Sequence, residues 1–191
     1  KKRITGKLID LSVDYIELGF PAASKEESKM IRKVANYYKK ANTKFCVFAR
    51  ALINDIDIAY ESINHIKARR IQIVVPASDL HIRYSTSANK KSILENLEMT
   101  LKYAKSKFSD IQLTAQDAPR ANFKFLKQII NIGINSGVTT ICLPDTAGHC
   151  LSNEYTSLIK KVKKIVGNKV LISAHCHNDL GVATSNTIAA I

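Results

Sequence analysis

Two histidines separated by one residue, His175 and His177, have the types and the spacing of a metal-ion site. They follow an apolar run, in the segment 174–181 (AHCHNDLG), which predicts that they end a β-strand. Residues i and i+2 of a strand point to the same face, so both imidazoles can reach one divalent cation. Cys176 then points the other way, as a small buried side chain. Two nitrogens do not complete a coordination shell, so further ligands are required.

Glu17 is the second candidate for chemistry, because it lies inside the apolar run 15–20 (YIELGF). A carboxylate in such a run is costly to bury unless it has a partner or a function. We interpret Glu17 as a functional carboxylate near a strand end, and a salt-bridged core glutamate is the alternative.

Six apolar, β-rich runs predict the strands that must position these side chains. The stretches between them have helical periodicity, as in segment 93–104, where apolar residues share one face. Ser24 with Glu27, and Ser92 with Glu95, have the capping-box spacing that starts a helix. The six predicted strands are 15–20, 45–49, 71–75, 111–114, 139–143 and 170–174.

The even alternation of strands and helices predicts an α/β fold with a parallel sheet. No glycine-rich phosphate loop of the GxGxxG or GxxxxGK type is present, which favours a closed barrel over a doubly wound sheet. A (β/α)8 barrel needs eight strands. We therefore expect residues 1–191 to be a single, incomplete catalytic barrel domain that starts and stops inside helices and lacks its first and last units.

Composition excludes several other classes of protein. Hydrophobic residues make up 46% and charged residues 24% of the chain, which excludes a disordered protein. No apolar run approaches a membrane span, and the four cysteines form no CxxC pair, so we expect a cytoplasmic protein with reduced thiols. The net charge of +13 comes from lysines spread over helix faces, so we expect neither a nucleic-acid nor a membrane partner.

Four motifs occur in order on successive predicted strand ends, and together they resemble the 2-isopropylmalate synthase family, with its homocitrate, citramalate and methylthioalkylmalate synthase relatives. The likeness extends to the metallolyase barrels that resemble HMG-CoA lyase. It covers essentially the whole chain. The motifs are ELGFP at 17–21, SDLHI at 78–82, LPDTAG at 143–148 and HCHNDLG at 175–181.

The resemblance implies a (β/α)8 barrel that joins acetyl-CoA to a 2-oxo acid in a metal-assisted Claisen condensation. It implies that His175 and His177 bind Mg²⁺, Mn²⁺ or Zn²⁺ and that Glu17 is catalytic. It further implies a homodimer as the full-length assembly. The substrate-binding residues that it implies are His81, Thr114, Gln116, Pro144 and Thr146.

Two departures from the family pattern concern the substrate. Gln116 stands where most of the family has a glutamate, and an amide cannot be a base, whereas Thr114 keeps a hydroxyl. Gln112 stands where lysine-pathway homocitrate synthases have an arginine, which argues mildly against 2-oxoglutarate. Asp117 is retained, and we expect it to hold a neighbouring loop or Arg120.

A third departure concerns completeness. The family's first strand carries an Arg-Asp-Gly segment with a metal-binding aspartate, and its eighth strand carries an asparagine ligand. The resemblance places both of these, and the usual acid–base groups, outside residues 1–191. We therefore expect this chain to be inactive by itself.

The sequence thus predicts an acyltransferase, with 2-oxoisovalerate as substrate and leucine biosynthesis as the pathway. A homocitrate or citramalate synthase is the near alternative. A metal-dependent aldol-type lyase on the same barrel, or an inactive barrel fragment that acts as a binding module, are alternatives of other classes.

Overall fold

The computed structural model of the chain describes residues 1–191 and contains six β-strands. Each of the six predicted runs forms a strand, and no end differs from the prediction by more than two residues. The strands are β1 (Tyr15–Gly19), β2 (Lys44–Arg50), β3 (Arg69–Pro76), β4 (Ile111–Gln116), β5 (Thr140–Asp145) and β6 (Leu171–Cys176).

Helices connect the strands and flank them at both ends of the chain. Two short 3-10 turns, Pro21–Ala23 and Ala118–Arg120, follow β1 and β4. The α-helices are α1 (Lys2–Asp10), α2 (Lys25–Tyr37), α3 (Ile53–Ile63), α4 (Asp79–Ser85), α5 (Lys90–Lys105), α6 (Phe123–Asn135), α7 (Ser152–Val166) and α8 (Ala183–Ala189).

The strands form one sheet in chain order, β1-β2-β3-β4-β5-β6, and every neighbouring pair is parallel. A doubly wound sheet reverses its strand order at a switch point, and this sheet does not. Strands β1 and β6 are its two edges, so the barrel is not closed within these residues. The predicted fold, an α/β chain that is an incomplete (β/α)8 barrel, is confirmed.

The hydrophobic core lies between the sheet and the helices that cover its outer face. It is one cluster of 36 buried residues. In β3, Ile71, Ile73 and Val75 belong to this cluster, while Arg70 and Gln72 alternate with them on the opposite face. The inner face of the sheet is therefore the polar one.

A buried polar network occupies the inner face near the amino ends of the strands. The Arg70 guanidinium donates hydrogen bonds to Asp110 (2.9 Å), Gln112 (3.2 Å) and Thr140 (3.1 Å), and it lies 3.8 Å from the centroid of the Tyr15 ring. Each nitrogen of the guanidinium has a hydrogen-bond partner, so we interpret these contacts as stabilising the fold. The side chain of Gln112 is thus committed to this network.

The predicted helix starts are right for α2 and wrong for α5. Ser24 caps α2, because its hydroxyl accepts a hydrogen bond from the backbone N–H of Glu27 at 3.0 Å. The predicted box of Ser92 and Glu95 is displaced by one turn: Asn89 is the cap, and its side chain accepts from the N–H of Ser92 at 3.0 Å. Asparagine is itself a strong N-cap residue, so the helix begins earlier.

All four cysteines are free, in agreement with the expected reduced thiols. Cys46, Cys142 and Cys150 are buried, and burial raises the pKa of Cys142 to about 11. No helix is long and apolar enough to cross a membrane.

Candidate active site

The carboxyl ends of the strands bring most of the predicted site residues to one edge of the sheet. In barrels of this kind that edge carries the chemistry. Thr114 and Gln116 lie on β4, Pro144 lies on β5, and His175 lies on β6 in register with Pro144. Thr146 and His177 directly follow β5 and β6.

His175 and His177 lie side by side at the end of β6. Their ring centroids are 5.1 Å apart and the ring planes are inclined by 54°. The backbone N–H of His175 donates to the hydroxyl of Tyr155 (3.3 Å), which in turn donates to the Leu143 carbonyl oxygen (2.6 Å). The backbone N–H of His177 donates to the Asp145 carbonyl oxygen at 3.3 Å. Backbone contacts thus hold the strand end, while both rings stay solvent-accessible.

The pKa of His175 suits metal binding. Burial, and then the neighbouring His177, lower the pKa of His175, which favours the neutral form of its ring. Neutral imidazole is the form that binds a metal ion. Within this chain no third His, Cys, Asp or Glu side chain joins these two in a group close enough to hold an ion. The pair therefore fits two nitrogen ligands of a site.

Glu17 lies in the middle of β1, opposite Cys46 of β2 in the strand register. The residue is exposed at an open edge of the sheet. The protein atoms around its carboxyl group nevertheless remove part of the water that would solvate it. Burial raises the pKa of Glu17 above its ordinary value. A carboxyl group shifted in this direction is suited to proton transfer near neutral pH.

Asp117 connects three of the loops that follow the strands. Its carboxylate accepts hydrogen bonds from Arg120 Nε (2.8 Å) and lies 3.0 Å from His81 Nδ1. Its backbone N–H donates to the hydroxyl of Thr146 at 2.9 Å. Ser78 adds a contact, because its hydroxyl lies 3.3 Å from His81 Nδ1. The loops after β3, β4 and β5 therefore meet at one residue, Asp117, and the expected contact with Arg120 is confirmed.

Asp117 is fully buried and stays ionised. Burial alone would raise its pKa, but the hydrogen bonds from Arg120, Ser78 and His81 outweigh that effect and lower the pKa of Asp117 below its ordinary value. Its backbone has φ 61°, in the left-handed region that few residues other than glycine, asparagine and aspartate adopt.

A second buried aspartate, Asp145, closes the loop between β5 and α7. Its two carboxylate oxygens accept hydrogen bonds from the backbone N–H groups of His149 (3.2 Å) and Cys150 (3.1 Å). The ligand atoms of these three side chains lie within 4.8 Å of one another, so the group is close enough to hold a metal ion. The hydrogen bonds show that the Asp145 carboxylate holds the backbone of this loop in place.

The loops after β5 and β6 also pack against each other. Gly148 has φ 58°, and a Cβ added there would lie 2.9 Å from the backbone nitrogen of Asp179. A side chain at this position would collide with the loop after β6. The glycine therefore allows the two motifs that contain Gly148 and Asp179 to approach each other closely.

Sequence reasoning gave no role to Tyr155 or Asp145. Tyr155 is fully buried in α7, and nothing in its spacing signals that its hydroxyl contacts the backbone of β6. The signal for Asp145 was present, because it lies in the recognised segment 143–148, where only Pro144 and Thr146 were assigned.

The HMGL-like family model matches residues 1–191. Among curated proteins, the 2-isopropylmalate synthase of Dictyoglomus turgidum (strain DSM 6724 / Z-1310) is 39% identical over 193 residues, which cover 100% of this chain and 38% of that protein. 2-Isopropylmalate synthase 1 of Caldanaerobacter subterraneus subsp. tengcongensis is 36% identical, with 100% and 48% covered. The chain thus spans less than half the length of these relatives.

Solved structures support the fold. The hydroxymethylglutaryl-CoA lyase of Pseudomonas aeruginosa superposes with a TM-score of 0.73 at 19% identity, covering 93% of this chain and 60% of that one. The HMG-CoA lyase of Brucella melitensis gives a TM-score of 0.71 at 15% identity, with 93% and 64% covered.

Proposed function

The chain belongs to the HMGL-like family, and on that premise we propose that the intact protein condenses acetyl-CoA with a 2-oxo acid, as a 2-isopropylmalate synthase does. The observation that carries this proposal is the histidine pair at the end of β6, whose ring centroids lie 5.1 Å apart. Matches to 2-isopropylmalate synthases over the whole of this chain, at 36 to 39% identity, support it. The product would be a 2-alkylmalate, and the most suitable oxo acid is 2-oxoisovalerate.

His175 and His177 would hold a divalent cation, Mg²⁺, Mn²⁺ or Zn²⁺, with the remaining ligands from the rest of the protein. When bound, such an ion supplies Lewis acidity at the carbonyl of the oxo acid. The protein's part is to keep both rings on one face of β6, and the lowered pKa of His175, which favours the metal-binding neutral form, supports that role.

Glu17 would transfer a proton during the reaction. A carboxyl group with a raised pKa can accept a proton and return it near neutral pH, which an ordinary exposed glutamate does poorly. The amide of Gln116 can only donate or accept hydrogen bonds, so it would orient a substrate oxygen rather than move a proton.

The substrate would lie along the carboxyl ends of β3 to β6. Thr114 and Thr146 would offer hydroxyl groups, Pro144 an apolar wall beside His175, and His81 a ring nitrogen. These roles follow from the residue types and from their position at one edge of the sheet.

The biological setting follows from the proposed reaction. We infer a role in leucine biosynthesis, in the cytoplasm, with acetyl-CoA and a 2-oxo acid as the partners and a homodimer as the assembly.

A lyase that cleaves a hydroxyacyl-CoA is the second candidate. The histidine pair at the strand ends could also serve a metal-dependent reaction in the direction of cleavage. The hydroxymethylglutaryl-CoA lyases superpose at 15 to 19% identity, which supports the fold alone.

Free CoA release distinguishes the two functions. The intact protein would be incubated with acetyl-CoA, Mg²⁺ or Mn²⁺, and in turn 2-oxoisovalerate, pyruvate and 2-oxoglutarate, while a thiol reagent reports free CoA. We expect release with 2-oxoisovalerate and loss of activity after chelation. Cleavage of 3-hydroxy-3-methylglutaryl-CoA without release from acetyl-CoA would overturn the synthase proposal.

The role of Glu17 has a direct test in the same assay. Glu17→Gln keeps the shape and removes the titratable group, so we expect kcat to fall by about 100-fold. Glu26→Gln, at an exposed glutamate at the start of α2, is the matched control and should leave kcat unchanged. Equal activities of the two variants would remove Glu17 from the reaction.

A further inference from the structure

Asp117 and His81 form a carboxylate–imidazole pair, of which the proposed roles use only the imidazole. Asp117 Oδ2 lies 3.0 Å from His81 Nδ1, and the pair joins the loop after β3 to the loop after β4. The aspartate is fully buried, whereas His81 is half-buried and reachable. A buried charge in contact with an accessible ring is the arrangement by which proteins orient a functional histidine.

The carboxylate decides which nitrogen of His81 carries the proton. Asp117 is ionised, since its hydrogen bonds lower its pKa, and an ionised carboxylate can only accept. His81 Nδ1 must therefore be the protonated nitrogen in the contact of 3.0 Å. In the neutral ring this leaves Nε2 with a free lone pair, so Nε2 is an acceptor.

Two further contacts fix the position of the carboxylate. Arg120 Nε lies 2.8 Å from Oδ1 and 2.9 Å from Oδ2, so the guanidinium holds both oxygens. The backbone N–H of Asp117 is held by Thr146, which keeps the residue at φ 61°. The Asp117 side chain cannot rotate without breaking its contacts with Arg120 and His81.

We propose that Asp117 is a positioning residue that acts through His81, fixing the Nδ1-protonated form so that Nε2 is offered to the substrates as a hydrogen-bond acceptor. This inference rests on the proposed condensation. A 2-oxo acid at neutral pH has only acceptor oxygens, so Nε2 has no partner on that substrate. The groups at the reacting centre with a polar hydrogen to donate are the hydroxyl of the product and the water that hydrolyses the thioester.

The chemistry of the acceptor has a kinetic consequence. Contacts made after the oxo acid is bound affect kcat rather than KM. Loss of the pair should therefore lower kcat, while KM for the oxo acid stays nearly constant. A residue that merely held the loops in shape would disturb the binding of the oxo acid as well.

The first experiment measures the protonation of the His81 ring directly. Nitrogen-15 NMR of histidine-labelled intact protein, with His81→Gln to assign the signal, would report which nitrogen of His81 is protonated. We expect the Nδ1-protonated form in the wild type and a shift towards the Nε2-protonated form in Asp117→Asn. An Nε2-protonated ring in the wild type would overturn the inference.

The second experiment measures kinetics on the intact protein. Asp117→Asn should lower kcat at least tenfold and change KM for the oxo acid by less than about threefold. Combined with His81→Ala, it should cost no more than His81→Ala alone, because both changes remove the same acceptor. Asp79→Asn, an exposed aspartate at the start of α4, is the matched control and should have no effect.

The outcomes separate this inference from the function on which it rests. An active wild type in which Asp117→Asn keeps kcat within twofold overturns the positioning role alone. A wild type that releases no CoA with any oxo acid overturns the proposed function and the kinetic part of the inference, while the NMR result still decides how the pair is protonated.

Discussion

Two histidine-containing regions at the same edge of the sheet are held in different ways. At the end of β6, His175 and His177 are fixed through their backbones, and their rings are open to solvent. In α4, which follows β3, His81 is fixed through its ring by Asp117, which is itself held by Arg120. In the first region the ring nitrogens make no hydrogen bond within the chain, whereas in the second the Nδ1 of His81 contacts Asp117.

The difference shows what each region can do without the rest of the protein. The pair on β6 needs further ligands, since no third side chain of this chain joins it. The region around Asp117 has all its partners within the chain, because the loops after β3, β4 and β5 supply them. We call the residues Ser78, His81, Asp117, Arg120 and Thr146 the Asp117 cluster. Its geometry is complete, whereas that of the proposed metal site is not.

The largest expected effect tests whether the Asp117 cluster is self-contained. Asp117→Ala leaves Arg120 and His81 without their shared partner and puts alanine in a left-handed backbone. We expect the intact protein to lose about 2–4 kcal/mol of unfolding free energy, less than for a fully buried pair because Arg120 is partly solvated. Urea unfolding measures this loss.

The matched control is Asp79→Ala, which removes an exposed ion pair with Lys90. Such a pair contributes at most about 1 kcal/mol. Equal losses for the two variants would mean that the Asp117 cluster is no more than a surface feature.

The next effect concerns the metal site. His177→Ala removes a ligand, so we expect the affinity for Mn²⁺ to fall at least tenfold, or about 1.4 kcal/mol, in calorimetric titration of the intact protein. Asp117→Asn should leave that affinity within about threefold, because its cluster does not contact the pair. His65→Ala, at a histidine beyond the end of α3, is the control. Unchanged affinity in His177→Ala would refute the ligand role.

The sequence predicts the two regions unequally. The spacing of His175 and His177 is local, and strand geometry alone places both rings on one face. The Asp117 cluster joins residues far apart in the chain: His81 and Asp117 are 36 positions apart, and Asp117 and Thr146 are 29 apart. No periodicity reports such contacts, so the sequence indicated that Asp117 had a role without indicating its contact with His81.

The fold was predictable for the same reason. Each strand is a local apolar run, and right-handed crossovers between such strands give a parallel sheet, while the missing glycine-rich phosphate loop favours the strand order of a barrel. The environment of single groups is not predictable in this way. Glu17 is an example, because its side chain is exposed at the open edge while the surrounding protein still raises its pKa.

A smaller effect tests the backbone support of the histidine pair. Tyr155→Phe removes the hydroxyl that joins the His175 N–H to the Leu143 carbonyl, so we expect a loss of about 1 kcal/mol in thermal or urea unfolding. The affinity for Mn²⁺ should change by less than about threefold, because β6 still fixes both rings. Tyr84→Phe, at an exposed tyrosine, is the control. A tenfold loss of affinity would show that the pair depends on this helix contact.

The smallest effect concerns acid stability and the charge of Asp117. Its pKa is lower in the folded protein than the ordinary value of about 3.9, so the unfolded chain binds more protons between the two values. Its contribution is complete above about pH 5 and is lost as the pH falls through the folded pKa. Asp117→Asn cannot titrate, so its stability should be lower at pH 7 but fall less steeply below pH 5. Urea midpoints of the two proteins between pH 7 and pH 2 measure the difference. Parallel curves would mean that the cluster is held by shape, as the pair on β6 is, and not by charge.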